Sequence, residues 1–229
     1  MPRLLPLIAL AAATLALGLG GCASLSADAP LFAVADQVGP APLEEGVWIW
    51  PGEHCSARNA KRRGRLPAKC LPGELRRSAD GAWTFRFQDH VPLRESADEP
   101  EMPRAYRLII APATHVRAAD AFAPLYVAEY APAEPTDTVQ SYALIVPVGT
   151  LPAREFRIET TLSCTAIDRE GPIEGITITR NESGETITAC KATTQDGVRE
   201  AARRAAIEGL NGMLANPNEE GARLLFVRP

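Results

Sequence analysis

The run Trp83-Thr84-Phe85-Arg86-Phe87-Gln88 alternates aromatic and polar side chains without a break, and no other feature limits so sharply what this chain can fold into. A period of two puts Trp83, Phe85 and Phe87 on one face of a strand, where a helix would scatter them. Asp80-Gly81 just upstream suits a tight turn from a partner strand at 74–77, so the segment predicts a half-buried hairpin with its rings toward the core. Apolar or aromatic stretches recur at 47–50, 106–111, 125–130 and 139–146, bounded by segments containing Pro or Gly. They predict further strands joined by loops.

The same periodicity continues downstream. Over 156–166, Phe156, Ile158, Leu162, Cys164 and Ala166 are apolar, which predicts a strand that points Cys164 inward. Residues 176–179 and 186–189 flank a polar stretch at 180–185 and predict a hairpin. Cys190 is out of phase with Ile187, so it faces inward only if that strand ends or bulges first. The one clear helix starts near Thr193, whose spacing to Asp196 resembles a capping box, and runs to about Leu214. Val198, Ala201, Ala202, Ala205, Leu210 and Met213 form its apolar stripe, and Asn216-Pro217 ends it before a last strand at 224–227. These elements predict a β-rich α+β fold, mainly antiparallel, with one C-terminal helix and two disulfides. At 229 residues, 46% hydrophobic and 23% charged, the chain can bury one good core.

The N-terminus has a different logic. Arg3 and the free amine are followed by an apolar run at 4–19 with no charge, the layout of a signal peptide. The run ends in Leu19-Gly20-Gly21-Cys22, which resembles the lipobox of bacterial lipoproteins: an aliphatic residue, two small residues, then the cysteine to be acylated. The resemblance covers residues 1–22 only. It implies a diacylglyceryl group on Cys22, cleavage between Gly21 and Cys22, and a new amine open to a further acyl chain. Each buried methylene contributes about 0.8 kcal/mol, so two or three chains anchor stably where one does not. Ala23 and Ser24 follow, and in enteric bacteria the absence of Asp there implies passage to the outer membrane. An uncleaved transmembrane helix is the competing reading, but Pro6, Gly18, Gly20 and Gly21 make a poor helix. The expected organisation is a signal peptide at 1–21, a lipidated cysteine and tether at 22–45 whose Leu31, Phe32 and Val34 are candidates to dock on the domain, and a single β-rich domain at 46–229.

Export sets how the remaining cysteines are read. Cys55, Cys70, Cys164 and Cys190 form an even set, which in an oxidising compartment suggests two disulfides. Three pairings are open, and pairing of sequence neighbours is preferred: Cys55 with Cys70, Cys164 with Cys190. A zinc site is the rival for these residues. Against it, no C-x-x-C pair is present and His54 adjoins Cys55, so no metal is expected.

No catalytic constellation stands out, since G-x-S-x-G, H-E-x-x-H, a P-loop and an EF-hand loop are all missing from the sequence. Neither a catalytic residue nor a cofactor can be assigned. The histidines are His54, His90 and His115, and Asp89-His90 reads first as a solvated strand end. The carboxylate pairs Asp98-Glu99 and Glu219-Glu220 lie in loops near proline, where solvation is the default. Asn181-Glu182-Ser183 matches a glycosylation acceptor but reads as turn chemistry. Trp48, Trp50, Tyr126, Tyr130 and Tyr142 read as core before they read as the lining of a ligand pocket in a small barrel or sandwich.

The sharpest local feature is a basic stretch. Arg58, Lys61, Arg62, Arg63, Arg65 and Lys69 lie between Cys55 and Cys70 with no acid among them. In a chain of net charge −4, which becomes about −5 once Arg3 leaves with the first 21 residues, this concentration of charge fits anionic lipid, lipopolysaccharide phosphates or an acidic protein. A solvated loop is the simpler reading. Few aromatic residues interleave the stretch, which speaks against nucleic acid. The function expected is that of a lipid-anchored envelope lipoprotein at the periplasmic face of the outer membrane, an interaction or structural component rather than an enzyme. The alternatives are an envelope hydrolase and a small-ligand binder.

Overall fold

The computed structural model describes residues 23–49, 70–89, 91, 103–118, 121–134, 139–148, 150–159, 162–215 and 223–226. Its strands are β1 Leu25–Ala27, β2 Gly46–Ile49, β3 Gly73–Arg77, β4 Trp83–Phe87, β5 Ala105–Ala118, β6 Ala121–Pro132, β7 Gln140–Val148, β8 Glu155–Glu159, β9 Ile176–Arg180, β10 Ile187–Ala192 and β11 Arg223–Phe226. Two helices join them, α1 Cys164–Arg169 and α2 Gln195–Ala215, and a single 3-10 turn spans Val34–Asp36.

Strands β2 to β8 follow one another as an antiparallel meander, β11 fits between β8 and β2, and β6 pairs with β7. Eight strands therefore close into an antiparallel barrel with no free edge inside the ring. The predicted alternation decides what fills it. Cross-strand partners share a face, and Leu75, Phe85 and Tyr106 are successive partners, as are Trp83, Leu108 and Tyr130. The interior holds Leu43, Trp48, Leu75, Trp83, Ile110, Tyr126, Ala128, Ile145 and Phe156. On the other face of the same strands lie Glu74, Arg76, Thr84, Arg86 and Arg107. Apolar inside and charged outside is the reverse of the pattern a lipid-facing barrel requires. No described helix is long and apolar enough to cross a membrane.

A second apolar layer lies outside the barrel wall. Ile109, Ala111, Leu125, Val127, Tyr142 and Leu144, from β5, β6 and β7, cluster with Val198, Ala201, Ala202 and Ala206 of α2. The helix begins one residue later than its capping signal suggested. Thr194, not Thr193, caps it, its Oγ1 accepting the Gly197 N–H at 3.1 Å. From β7 the sheet continues outward through β1, which pairs antiparallel with β7 and parallel with β10, and then through β9.

Two sequence expectations need correction. Residues 156–166 are not one strand: β8 ends at Glu159 and Cys164 opens α1, a short helix in which Cys164 and Ile167, three apart, bury one face. Apolar residues at even positions fit either shape once the chain turns. The tether expected within 22–45 belongs to the domain, because Leu25, Ala27, Phe32 and Leu43 are buried in its two cores. The Pro, Ala and Asp between them hid the spacing of these apolar residues. Of the two expected disulfides, Cys164–Cys190 is present. Cys70 is not a free thiol, and Cys55 lies outside the described residues.

Candidate functional site

Outside the barrel, residues 23–25 are held in a corner between α1 and β10. Cys164 donates its N–H to the Ala23 carbonyl at 2.8 Å, Ser24 bridges Ser163, and Leu25 donates to the Leu162 carbonyl at 2.8 Å. On its other side Leu25 pairs with Cys190. The Cys164–Cys190 disulfide thus ties together the two elements that grip β1 from either side, and both cysteines are fully buried. The bulge that Cys190 requires is there, as a register shift between Ile187 and Ala189.

The segment after β1 is bolted to the barrel by a buried acid. Glu129, 2% exposed, is the one charged residue among the buried side chains described. Its Oε2 accepts the backbone N–H groups of Leu31 at 2.8 Å and Phe32 at 3.2 Å and the Tyr142 hydroxyl at 3.0 Å. Burial pushes the Glu129 carboxyl above its ordinary range, partly offset by the hydrogen bonds from Leu31, Phe32 and Tyr142. The Tyr142 phenol is raised too, by desolvation first and by the neighbouring carboxylate second. From α2, Gln195 Nε2 reaches the Leu31 carbonyl at 2.7 Å, and the Arg199 guanidinium lies 5.3 Å from the centre of the Phe32 ring. With three donors on one oxygen, Glu129 serves as a clasp rather than as a base.

Glu129 was missed in the sequence, although a carboxylate in phase with Leu125 and Val127 in an apolar strand is a warning sign. Its partners lie 97 and 98 residues away, beyond the reach of any local pattern.

The aromatic candidates divide. Trp48, Tyr126 and Tyr130 point into the barrel and Tyr142 points out of it, while Trp50 lies outside the described residues. Inside, side chains meet side chains: the Trp48 and Phe156 rings are 4.8 Å apart, Phe85 and Phe87 5.1 Å, Tyr106 and Tyr130 6.1 Å. Gly73 has no side chain because the Phe85 ring occupies the place where a Cβ would stand. The Trp83 indole N–H is buried and finds no partner among the described residues.

Gly21, Cys22, Cys55, His54, His90 and the basic residues Arg58, Lys61, Arg62, Arg63, Arg65 and Lys69 lie outside the described residues, as do Asp98, Glu99, Glu219 and Glu220. His115 is in β5. Among the described residues, no group of three or more His, Cys, Asp or Glu is placed to hold a metal ion. No protein-family model matches the chain, and neither a curated protein nor a solved structure resembles it.

Proposed function

We propose that this protein is a lipid-anchored component of a bacterial cell envelope that works by contact rather than catalysis, held through Cys22 at the periplasmic face of the outer membrane. The observation that carries the reading is the corner just described. Three residues after the lipobox cysteine the chain is already a buried, disulfide-stapled strand, which suits an attachment that must resist being pulled. A buried disulfide also suits an oxidising compartment.

The contact we assign is the basic segment 58–69. In sequence it lies between β2 and β3. With Cys164 and Cys190 already paired and Cys22 acylated, Cys55 is the remaining partner for Cys70, and that bond would tie the basic segment at its base. Lipopolysaccharide phosphates or an acidic protein suit such a guanidinium-rich loop. Packing of the aromatic rings against one another inside the barrel favours this reading over a small-ligand site there.

Intact mass of protein extracted from membranes, with and without reduction and alkylation, tests the proposal. The expected mass is that of residues 22–229 plus acyl chains, with four thiols appearing only after reduction. Retention of residues 1–21, or alkylation of thiols before reduction, would overturn it. Arg62→Glu with Arg63→Glu and Arg65→Glu is expected to abolish retention on lipopolysaccharide and on a polyacidic protein; unchanged retention on both removes the assigned contact.

A further inference from the structure

The corner around β1 fixes more than an attachment point, because it fixes which way the domain stands. Resting on the lipoprotein reading, we propose that the corner formed by Ala23, the start of α1 and the 181–186 turn lies against the headgroups of the bilayer that holds the Cys22 lipid.

Reach is the first argument. Ala23 is pinned to Cys164, and consecutive Cα atoms are about 3.8 Å apart, so Cys22 is one step from a fixed residue. A lipidated Cys22 leaves no spacer in which the domain could swing. Releasing more chain would mean pulling Leu25 and Ala27, 0% and 1% exposed, out of the core together with their pairings to β7 and β10.

Direction is the second. β1 runs parallel to β10, with Leu25 opposite Cys190 and Ser26 opposite Lys191. Ala23 therefore stands at the end of the sheet where β10 starts, the end that carries the turn joining β9 to β10. That turn is a built structure: Asn181 Oδ1 accepts the N–H groups of Glu185 and Thr186, each at 3.1 Å, and Arg180, paired with Asp168 of α1, donates to the Gly184 carbonyl. The Arg180–Asp168 pair and the disulfide lock the turn and α1 into one corner with the exit of the chain.

Chemistry is the third. Thr165, Asn181, Glu182, Ser183, Glu185 and Thr186 are exposed and carry no large apolar side chain, so this surface meets headgroups and does not insert. The carboxylates of Glu182 and Glu185 suit ammonium-bearing headgroups of the phosphatidylethanolamine type. Residues 133–134, just past the C-terminal end of β6, lie at the other end of the sheet, beyond the Ala27 end of β1.

The test uses the acylated full chain in phosphatidylethanolamine–phosphatidylglycerol vesicles that contain a headgroup-nitroxide lipid. A fluorophore on Ser183→Cys should be quenched severalfold more than one on Glu134→Cys, which is likewise exposed but lies at the other end of the sheet. Amides of 182–186 in the unsubstituted protein should exchange more slowly on vesicles than in the same chain exported without acylation. Equal quenching at both positions with unchanged exchange, in protein whose mass shows acyl chains, overturns the orientation alone. Protein without acyl chains overturns the lipoprotein reading, and this one with it.

Discussion

Glu129 concentrates the physics of the domain at the scale of one residue. Its ordinary pKa is 4.5 and burial raises it, so the folded protein holds that proton more tightly than the unfolded chain does. The stability contributed by the protonated form is fully present below about pH 4.5 and is lost as pH rises through the raised folded value. Urea midpoints of the wild type should therefore fall over this window more steeply than those of Glu129→Gln, which has no proton to lose; parallel profiles would sink the argument. Glu129→Ala strands two backbone N–H groups and the Tyr142 hydroxyl, at about 1–3 kcal/mol each, and should lower stability by roughly 3 kcal/mol or more at neutral pH. The phenols offer a second test. Tyr106, Tyr126, Tyr130 and Tyr142 are the only tyrosines, and burial raises all four, Tyr106 and Tyr130 to about 12. An ultraviolet titration of the folded protein should show its phenolate steps displaced above the ordinary value of 10, and urea should bring them back to it at once. The sequence announced these rings as strand residues but could not say that Tyr142 alone turns away from the barrel, because that depends on which face each neighbouring strand shows it.

At the scale of elements, what was legible was local. The β3–β4 hairpin and its inward rings follow from alternation and from Gly81, whose φ of +85° a turn there requires. The bulge in β10 follows from the phase of Cys190 against Ile187. What failed was 156–166, where a change from strand to helix keeps the even residues apolar and so leaves no mark on the pattern. Gly73 shows the limit differently: nothing nearby in the sequence says that Phe85 will lie on it. Gly73→Ala should force that ring aside and lower stability by about 1–3 kcal/mol in chemical denaturation, whereas Gly184→Ala, in an exposed turn with open space around it, should register only the strain of its own backbone. Replacing Cys164 and Cys190 by Ser opens a loop of 26 residues, and the chain-entropy account gives a loss of about 3–4 kcal/mol. Because those cysteines grip β1 from both sides, hydrogen exchange at the Leu25 amide should accelerate more than at Ile109, which the disulfide does not touch; equal acceleration would mean that the bond stabilises the fold only globally.

For the whole molecule, the decisive contacts join distant parts of the chain. The barrel closes because β11 enters between β2 and β8, and no local pattern shows that the last strand will pair with the first barrel strand. The same blindness makes residues 23–45 look like a tether. Their few apolar side chains matter only because β7, β10 and α2 offer them places, and because Glu129 is left buried without Leu31 and Phe32. Removing residues 23–38 would expose what Leu25, Ala27 and Phe32 cover and strip a buried carboxylate of its backbone partners. Burial of Leu and Phe is worth about 2 kcal/mol each and an uncompensated buried charge costs roughly 3–5 kcal/mol, against a net stability of about 5–15 kcal/mol for a typical domain. A chain beginning at Ala23 should therefore melt cooperatively when followed by circular dichroism, and one beginning at Gly39 should be largely unfolded or marginal at about 37 °C. Were the shorter chain to melt at the same temperature, the segment would be a tether after all, and the proposed stance of the domain on a membrane would fall with it.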